Sequence, residues 1–167
     1  MIKLRKIEPS DLPFLYQWEN DATVWADGNN HNPLSQQDLR DYIESTTGDI
    51  YRDGQLRLMI EKPSAEGHPS AETIGCIDLF DFDPRNRRAA IGMYIVPEAR
   101  GNGYGRQALE ALEQYAFEHL NLRVLYAVIA TKNEACASLY ARANYQPSSP
   151  LPAWTLESDA VMWVKTN

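Results

Sequence analysis

Cysteine is scarce in this chain of 167 residues, with Cys76 and Cys136 its whole complement. The pair, read as lying in a strand and a helix, makes neither a disulfide framework nor a metal-ligand spacing, and no metal is expected. Long apolar runs are missing too, since nothing approaches the roughly 18–20 unbroken apolar residues of a membrane helix. The opening Met1-Ile2-Lys3-Leu4-Arg5 lacks the apolar core and cleavage site of a secretory leader, so the cytoplasm is the expected compartment. Nor is there an excess of positive charge. Lys and Arg number 16 against 23 Asp and Glu, a formal net charge of −7. That balance argues against nucleic acid as the main partner, because phosphate binding needs a basic stripe. It suits a cationic small partner, although an acidic surface is more often only a solubility device.

What is present is ordinary for a globular domain. Hydrophobic residues make up 44% and charged residues 23% of the chain, and its length suits one domain, residues 1–167. A short strand is predicted over 2–7. Ser10 and Asp11 then supply helix-start chemistry ahead of Leu12, Leu15 and Trp18. A second helix is expected from Ser35, where Ser35 and Asp38 resemble a shortened capping box. Between the two helices, 25–33 reads as a polar, Asn-rich loop with an exposed Trp25. Alternation over 55–61 predicts a half-buried strand. The Pro/Gly/Ser run at 62–71 reads as a hairpin loop. A second strand follows at 73–82, and a turn at Asp83-Pro84-Arg85-Asn86 leads to a third at 89–96.

From Gly103 the apolar period becomes helical, through Ala108, Leu112, Tyr115 and His119. Residues 122–130 read as a strand buried on both faces. Another helix spans 133–143 and ends at Asn144, a residue tolerant of the left-handed conformation. A proline-rich loop at Pro147, Pro150 and Pro152 then precedes one or two strands within 154–164. The expected fold is α/β (α+β): a mixed, mostly antiparallel central sheet flanked by helices, in the order β-α-α-β-β-β-α-β-α-β-β.

Chemistry concentrates between Val96 and Arg106. A strand stops at Pro97 and a long helix begins within eight residues, with Gly101, Gly103 and Gly105 between them. Glycines let the backbone turn tightly and leave its amides open, and the helix start adds unpaired N–H groups. Together they can cradle a pyrophosphate, with Arg100 at the rim and Asn102, Tyr104 and Arg106 alongside. A glycine loop alone also serves plain turns. The glycine spacing is not that of a dinucleotide-binding turn, and Arg106-Gln107 stands where a Walker loop needs Lys-Ser or Lys-Thr.

These residues resemble the GNAT superfamily of acetyltransferases. Arg100, Gly103 and Gly105 match its Arg/Gln-x-x-Gly-x-Gly/Ala loop. Asn133, Cys136, Tyr140, Asn144 and Tyr145 align with its Asn-x-x-Ala-x-x-x-Tyr signature and the Gly-Phe that follows. Cys136 stands for the usual Ala and Asn144 for the usual Gly. The resemblance spans nearly the whole chain and is closest to the branch of spermidine and ribosomal-protein N-terminal acetyltransferases. The stretch 81–90, ending in Arg87-Arg88-Ala89, looks similar to the spermidine enzymes.

The resemblance implies an acetyl-CoA-dependent N-acetyltransferase in which the strand 89–96 splays from 122–130 and pantetheine fills the gap. It implies contacts with backbone near Tyr94, Ile95 and Val96, an oxyanion bonded by a backbone N–H, and direct attack by an amine. Tyr140 would protonate the leaving thiolate and Asn133 would bond the pantetheine arm. Taken as residues only, Tyr140 reads first as a core aromatic and Cys136 as a small buried residue, and only the resemblance reverses the reading of Tyr140. Asn133 can be a helix N-cap and a cofactor contact at once.

The acceptor side is less marked. Asp78 is either a base or a satisfied structural carboxylate. Asp81 is chosen as the base because its place resembles an acceptor-site acid of the spermidine branch. Glu19, Asp21, Trp25 and Asp27 form an acidic-aromatic cluster suited to a cation, or simply a solvated helix end. His31, His68 and His119 receive no role. The expected acceptor is a small cationic amine such as a polyamine. A protein N-terminus or lysine, and a non-catalytic acetyl-CoA sensor, are the alternatives. A homodimer is expected from the branch.

Overall fold

Two kinds of strand alternation, one facing each layer of helices, organise the fold. The structure is a computed structural model describing residues 1–25, 32–63 and 71–167. Seven strands, β1 (Lys3–Lys6), β2 (Leu56–Lys62), β3 (Glu72–Asp83), β4 (Arg88–Ile95), β5 (Val124–Ala130), β6 (Gln146–Leu151) and β7 (Ala160–Thr166), form one sheet in the order β1-β2-β3-β4-β5-β7-β6. Every neighbouring pair is antiparallel except β4 with β5. Leu58, Ile77, Leu79, Ile91 and Leu125 face one side. There they pack under α5 (Tyr104–Gln114) and α6 (Glu134–Arg142) in the larger core. Met59 and Cys76 face the other, against Leu15 and Trp18 of α1 (Leu12–Glu19) and Leu39 and Ile43 of α3 (Gln36–Ser45). The described residues also form two one-turn helices, α2 (Ala22–Trp25) and α4 (Ile50–Asp53).

Local chemistry explains the element boundaries. Ser35 accepts a hydrogen bond from the Asp38 N–H at 3.0 Å, and the Asp38 carboxylate accepts from the Ser35 N–H at 2.8 Å, the reciprocal cap expected. The first helix is entered differently. A 3-10 turn at Pro9–Asp11 precedes α1, and Asp11, 1% exposed, receives both guanidinium N–H groups of Arg5 at 2.7 Å. That pair ties β1 to the helical layer, and deleting either partner would cost roughly 3–5 kcal/mol. Asn144 takes φ +67°, and Asn86 donates to Asp83 across the predicted turn.

Three expectations are corrected. The proline-rich segment is itself a strand: β6 carries Pro147 and Pro150, with a register shift between Pro147 and Ser149. It lies at the sheet edge, where a missing N–H costs no ladder bond. β5 is not buried on both faces. Val128 is 39% exposed, because the Leu15–Ile43 core covers only the β1–β4 side of that face. Trp25 is half-buried rather than exposed, closing α2 with its indole N–H on the Glu19 carbonyl at 2.7 Å. Most of both predicted loops, residues 26–31 and 64–70, lies outside the described residues.

Candidate active site

The parallel pairing of β4 with β5 ends at Ala90 and Tyr126. Beyond it β4 continues along β3 to Ile95, while β5 follows β7 to Ala130. The two strands therefore part, leaving one edge of β4 free. Which backbone groups face the opening follows from register. Val96 N–H bonds the Ile74 carbonyl, so the even-numbered residues of β4 exchange bonds with β3. The last β4–β5 bridge, Ala90↔Tyr126, takes the Ile91 N–H, and beyond it Met93 and Ile95 turn their N–H and C=O groups to the opening. Of the expected trio, only Ile95 does so; Tyr94 and Val96 face β3.

At the mouth of the opening lies the glycine loop. Gly101 and Gly103 both hold φ +78°, which side-chain-bearing residues rarely adopt. Gly103 caps α5 without any side-chain bond, leaving the first-turn N–H groups free for an anion. Asn102 braces the loop from inside, donating to the Ala99 and Arg100 carbonyls at 3.2 and 3.0 Å. Gly105 sits where α5 meets β4 and α6: a Cβ there would lie 3.4 Å from Ile95 Cδ1 and Leu139 Cδ2. Tyr104 packs on the large core. Arg106 pairs with Glu110 along the helix surface at 2.7 Å, more than half exposed. Arg100 donates from Nε to the Ile95 carbonyl at 2.8 Å and lies 5.8 Å from the centre of the Tyr94 ring.

On the α6 side, Asn133 caps its helix, accepting from the Cys136 N–H at 3.1 Å. Cys136 is half-buried beside the large core. Tyr140 is 2% exposed, and its ring meets that of Tyr145 edge-on at 4.9 Å. Among the described residues no protein group hydrogen-bonds its hydroxyl. Burial, helped by Cys136 and Glu113, pushes that hydroxyl well above the ordinary phenol range. It therefore keeps its proton at neutral pH, as a proton donor must.

The opposite face of the sheet carries two carboxylates beside β4, Asp78 of β3 and Glu19 of α1. Arg57 on β2 grips Asp78 on β3 through Nε at 2.9 Å and a terminal nitrogen at 2.7 Å, and reaches Glu19 at 2.5 Å. Burial pulls the Arg57 guanidinium down, but Asp78 and Glu19 hold it well above its usual value. Asp78 is thus a paired carboxylate, and Arg57 is a residue that sequence reasoning passed over. Cross-strand register Arg57↔Asp78 was the missing signal. Gly92 leaves room for the Phe80 ring, since a Cβ there would lie 3.3 Å from it, and 3.9 Å from Asp78 Oδ2. Asp81, at φ +50° in the β3 irregularity, accepts a hydrogen bond from the Tyr126 hydroxyl, beside the last β4–β5 pair. Burial and that bond push Tyr126 up to about 12. Asp27 lies outside the described residues. Among the described residues there is no His/Cys/Asp/Glu group that could hold a metal, and no helix long and apolar enough to cross a membrane.

This geometry has known counterparts. Residues 2–146 match the acetyltransferase (GNAT) domain family. The spermidine N(1)-acetyltransferase of Escherichia coli strain K12 is 27% identical over 153 residues, covering 90% of this chain and 75% of that protein. The crystal structure of spermidine N-acetyltransferase from Vibrio cholerae with CoA and spermine superposes with a TM-score of 0.87. It is 21% identical and covers 99% of this chain and 95% of that one. A dodecameric structure of the Vibrio cholerae enzyme gives 0.82 at 21% identity, covering 99% and 93%. The chain belongs to the GNAT acetyltransferase family, and is an N-acetyltransferase with acetyl-CoA as donor.

Proposed function

We propose that this enzyme acetylates a primary amine of a small polycationic molecule of the polyamine class. The observation that carries this reading is the set of acids that β3 and α1 place beside β4. Asp78 and Glu19 share a single arginine there, and Asp81 stands at the neck of the opening. Two carboxylates on one guanidinium leave that part of the sheet face net negative, which draws ammonium groups. Phe80, next to Gly92, and Trp25, bonded to the Glu19 carbonyl, are aromatic residues near these acids on which a cation can stack. The names of the relatives point the same way, since the Escherichia coli and Vibrio cholerae proteins are spermidine acetyltransferases.

In this reading the glycine loop and the start of α5 hold the pyrophosphate, with Arg100 adding a full charge. The free edge of β4 pairs with the pantetheine amides. The N–H of Met93 bonds the thioester oxygen and stabilises its developing negative charge. Asp81 keeps one oxygen on Tyr126 and turns the other to the ammonium, taking its proton before attack. Tyr140 gives its proton to the departing thiolate. Self-association of the chain is expected as well, as in the dodecameric relative.

The test is CoA thiol release by the purified protein against spermidine, spermine, an aminoglycoside, free amino acids and short peptides, with Tyr140→Phe alongside. Turnover on the polyamines, reduced about 100-fold by Tyr140→Phe, is the expected result. Turnover confined to peptides would replace the acceptor class. Acetyl-CoA binding without turnover on any amine would make the chain a sensor.

A further inference from the structure

The larger core contains a charged pair that the acetyl-transfer chemistry does not use. Glu113 of α5 is 8% exposed, and its Oε2 accepts from Lys165 Nζ of β7 at 2.6 Å. The same ammonium donates to the Ala143 carbonyl at 2.9 Å and lies 5.5 Å from the centre of the Tyr145 ring. Ala143 is the residue that closes α6, and Tyr145 is the ring packed edge-on against Tyr140 at 79°. One cation therefore touches a carboxylate of α5, the end of the helix that bears Tyr140, and the aromatic wall behind it.

We propose that Lys165, anchored by Glu113, is a positioning residue for Tyr140, an inference that rests on reading Tyr140 as the proton donor. Three observations support it. The Tyr140 hydroxyl has no protein hydrogen bond among the described residues, so its direction is set by its ring packing and its helix. That helix end is closed by backbone bonds: Tyr145 N–H on the Tyr140 carbonyl at 3.0 Å, Ala143 N–H on Leu139 and Tyr140, and Asn144 N–H on Ala141 at 3.1 Å. Lys165 on Ala143 is a side-chain bond that ties it to another element. Third, the pair makes a poor stabiliser. Burying the pair costs desolvation that its mutual attraction need not repay, and Glu113 Oε1 and the Tyr145 hydroxyl are buried with no other protein group to bond among the described residues. An apolar pair of similar volume would serve stability as well or better. One orphan is a donor and the other an acceptor, so a direct bond or one water can close them, locking Tyr145 further. A misplacement of about 1 Å at the reacting groups can cost 10²-fold in rate, so small displacements of α6 matter.

The experiment compares Lys165→Met, Lys165→Arg and the double variant Glu113→Leu/Lys165→Met, each also in a Tyr140→Phe background. It measures kcat, acceptor KM, acetyl-CoA Kd and melting temperature. Lys165→Met and the double variant are expected to lower kcat about 10-fold with Kd and KM unchanged, while Lys165→Arg recovers most of it. The double variant should melt at or above the parent temperature, which separates rate from stability. In the Tyr140→Phe background the Lys165→Met change should add nothing, because the group it positions is gone. An unchanged kcat in the double variant, or an equal further loss in the Tyr140→Phe background, would overturn the proposal. An unchanged kcat in Tyr140→Phe alone would instead remove the Tyr140 reading on which it stands.

Discussion

Arg100 Nε donates to the Ile95 carbonyl at 2.8 Å, across the mouth of the opening between β4 and β5. Ile95 is one of the β4 residues whose backbone faces that opening, so Arg100 covers a group that the pantetheine arm would use. Its guanidinium keeps further N–H groups for phosphate oxygens. Arg100→Ala is expected to raise the acetyl-CoA Kd about 10-fold, the loss of roughly 1.4 kcal/mol of charge-assisted bonding. The deficit should shrink as salt is raised from 0.05 to about 1 M, since exposed charges are screened there. Titration calorimetry of both proteins at two salt concentrations checks it; an equal Kd would remove Arg100 from the phosphate site.

Arg57 is expected to matter for folding as much as for the acceptor. Replacing it with Leu leaves Asp78 and Glu19 as partly buried carboxylates without a cation, at a cost of about 3 kcal/mol. Asp78→Asn should cost less, roughly 1–2 kcal/mol, because Glu19 still holds the arginine. Urea unfolding at constant m-value reads both. A midpoint for Arg57→Leu equal to the parent would show that the three side chains are independent surface charges.

Strand and helix types were legible because apolar periodicity and capping residues mark them locally. Ser35 with Asp38, Asn144 and the Asp83–Asn86 turn all behave as their chemistry dictates. The β6 strand was not legible, since three prolines in seven residues read as a loop until the edge position removes the penalty. The open face of β5 was hidden for a related reason: an apolar run says nothing about which helices arrive to cover it. In the site, the glycine loop and Tyr140 could be read as motifs. The roles of Tyr94 and Val96 could not, because facing β3 or the opening is a matter of register parity. Arg57 was missed because its partner lies 21 residues away on the next strand.

Stability is expected to fall as pH rises above 9. Burial, reinforced by Asp78, pushes the Cys76 thiol up to about 12, from an ordinary value of 9.0. Tyr126 rises from 10.0 to about 12. Each group keeps its proton in the folded chain where the unfolded chain has lost it. The folded state then binds more protons, and raising the pH favours unfolding. Cys76 acts between about pH 9 and 12 with a slope of up to roughly 1.4 kcal/mol per pH unit, and Tyr126, with the buried Tyr140 and Tyr145, joins from about pH 10. Urea midpoints at pH 8, 9 and 10 should decline for the parent. In Cys76→Ala the first part of that decline should be absent; the same decline in both proteins would mean the thiol titrates normally.

The two left-handed glycines allow backbone strain to be separated from crowding. Nothing lies within 4 Å of a Cβ built on Gly101 or Gly103, so Gly101→Ala and Gly103→Ala create no clash. Their φ of +78° is the whole penalty, about 1–2 kcal/mol for each position. If the loop keeps its shape, the cost shows in stability and acetyl-CoA binds as before. If the loop relaxes instead, the amides of the α5 start turn from the phosphates, and Kd rises while stability is kept. Because the loop is open and held mainly by Asn102, relaxation is the expected course, with Kd raised about 5–10-fold for Gly103→Ala. Paired measurement of urea midpoint and acetyl-CoA Kd decides. A lost midpoint with an unchanged Kd would show a loop rigid enough to bear the strain, and unaltered values of both would mean that the left-handed turn is not needed.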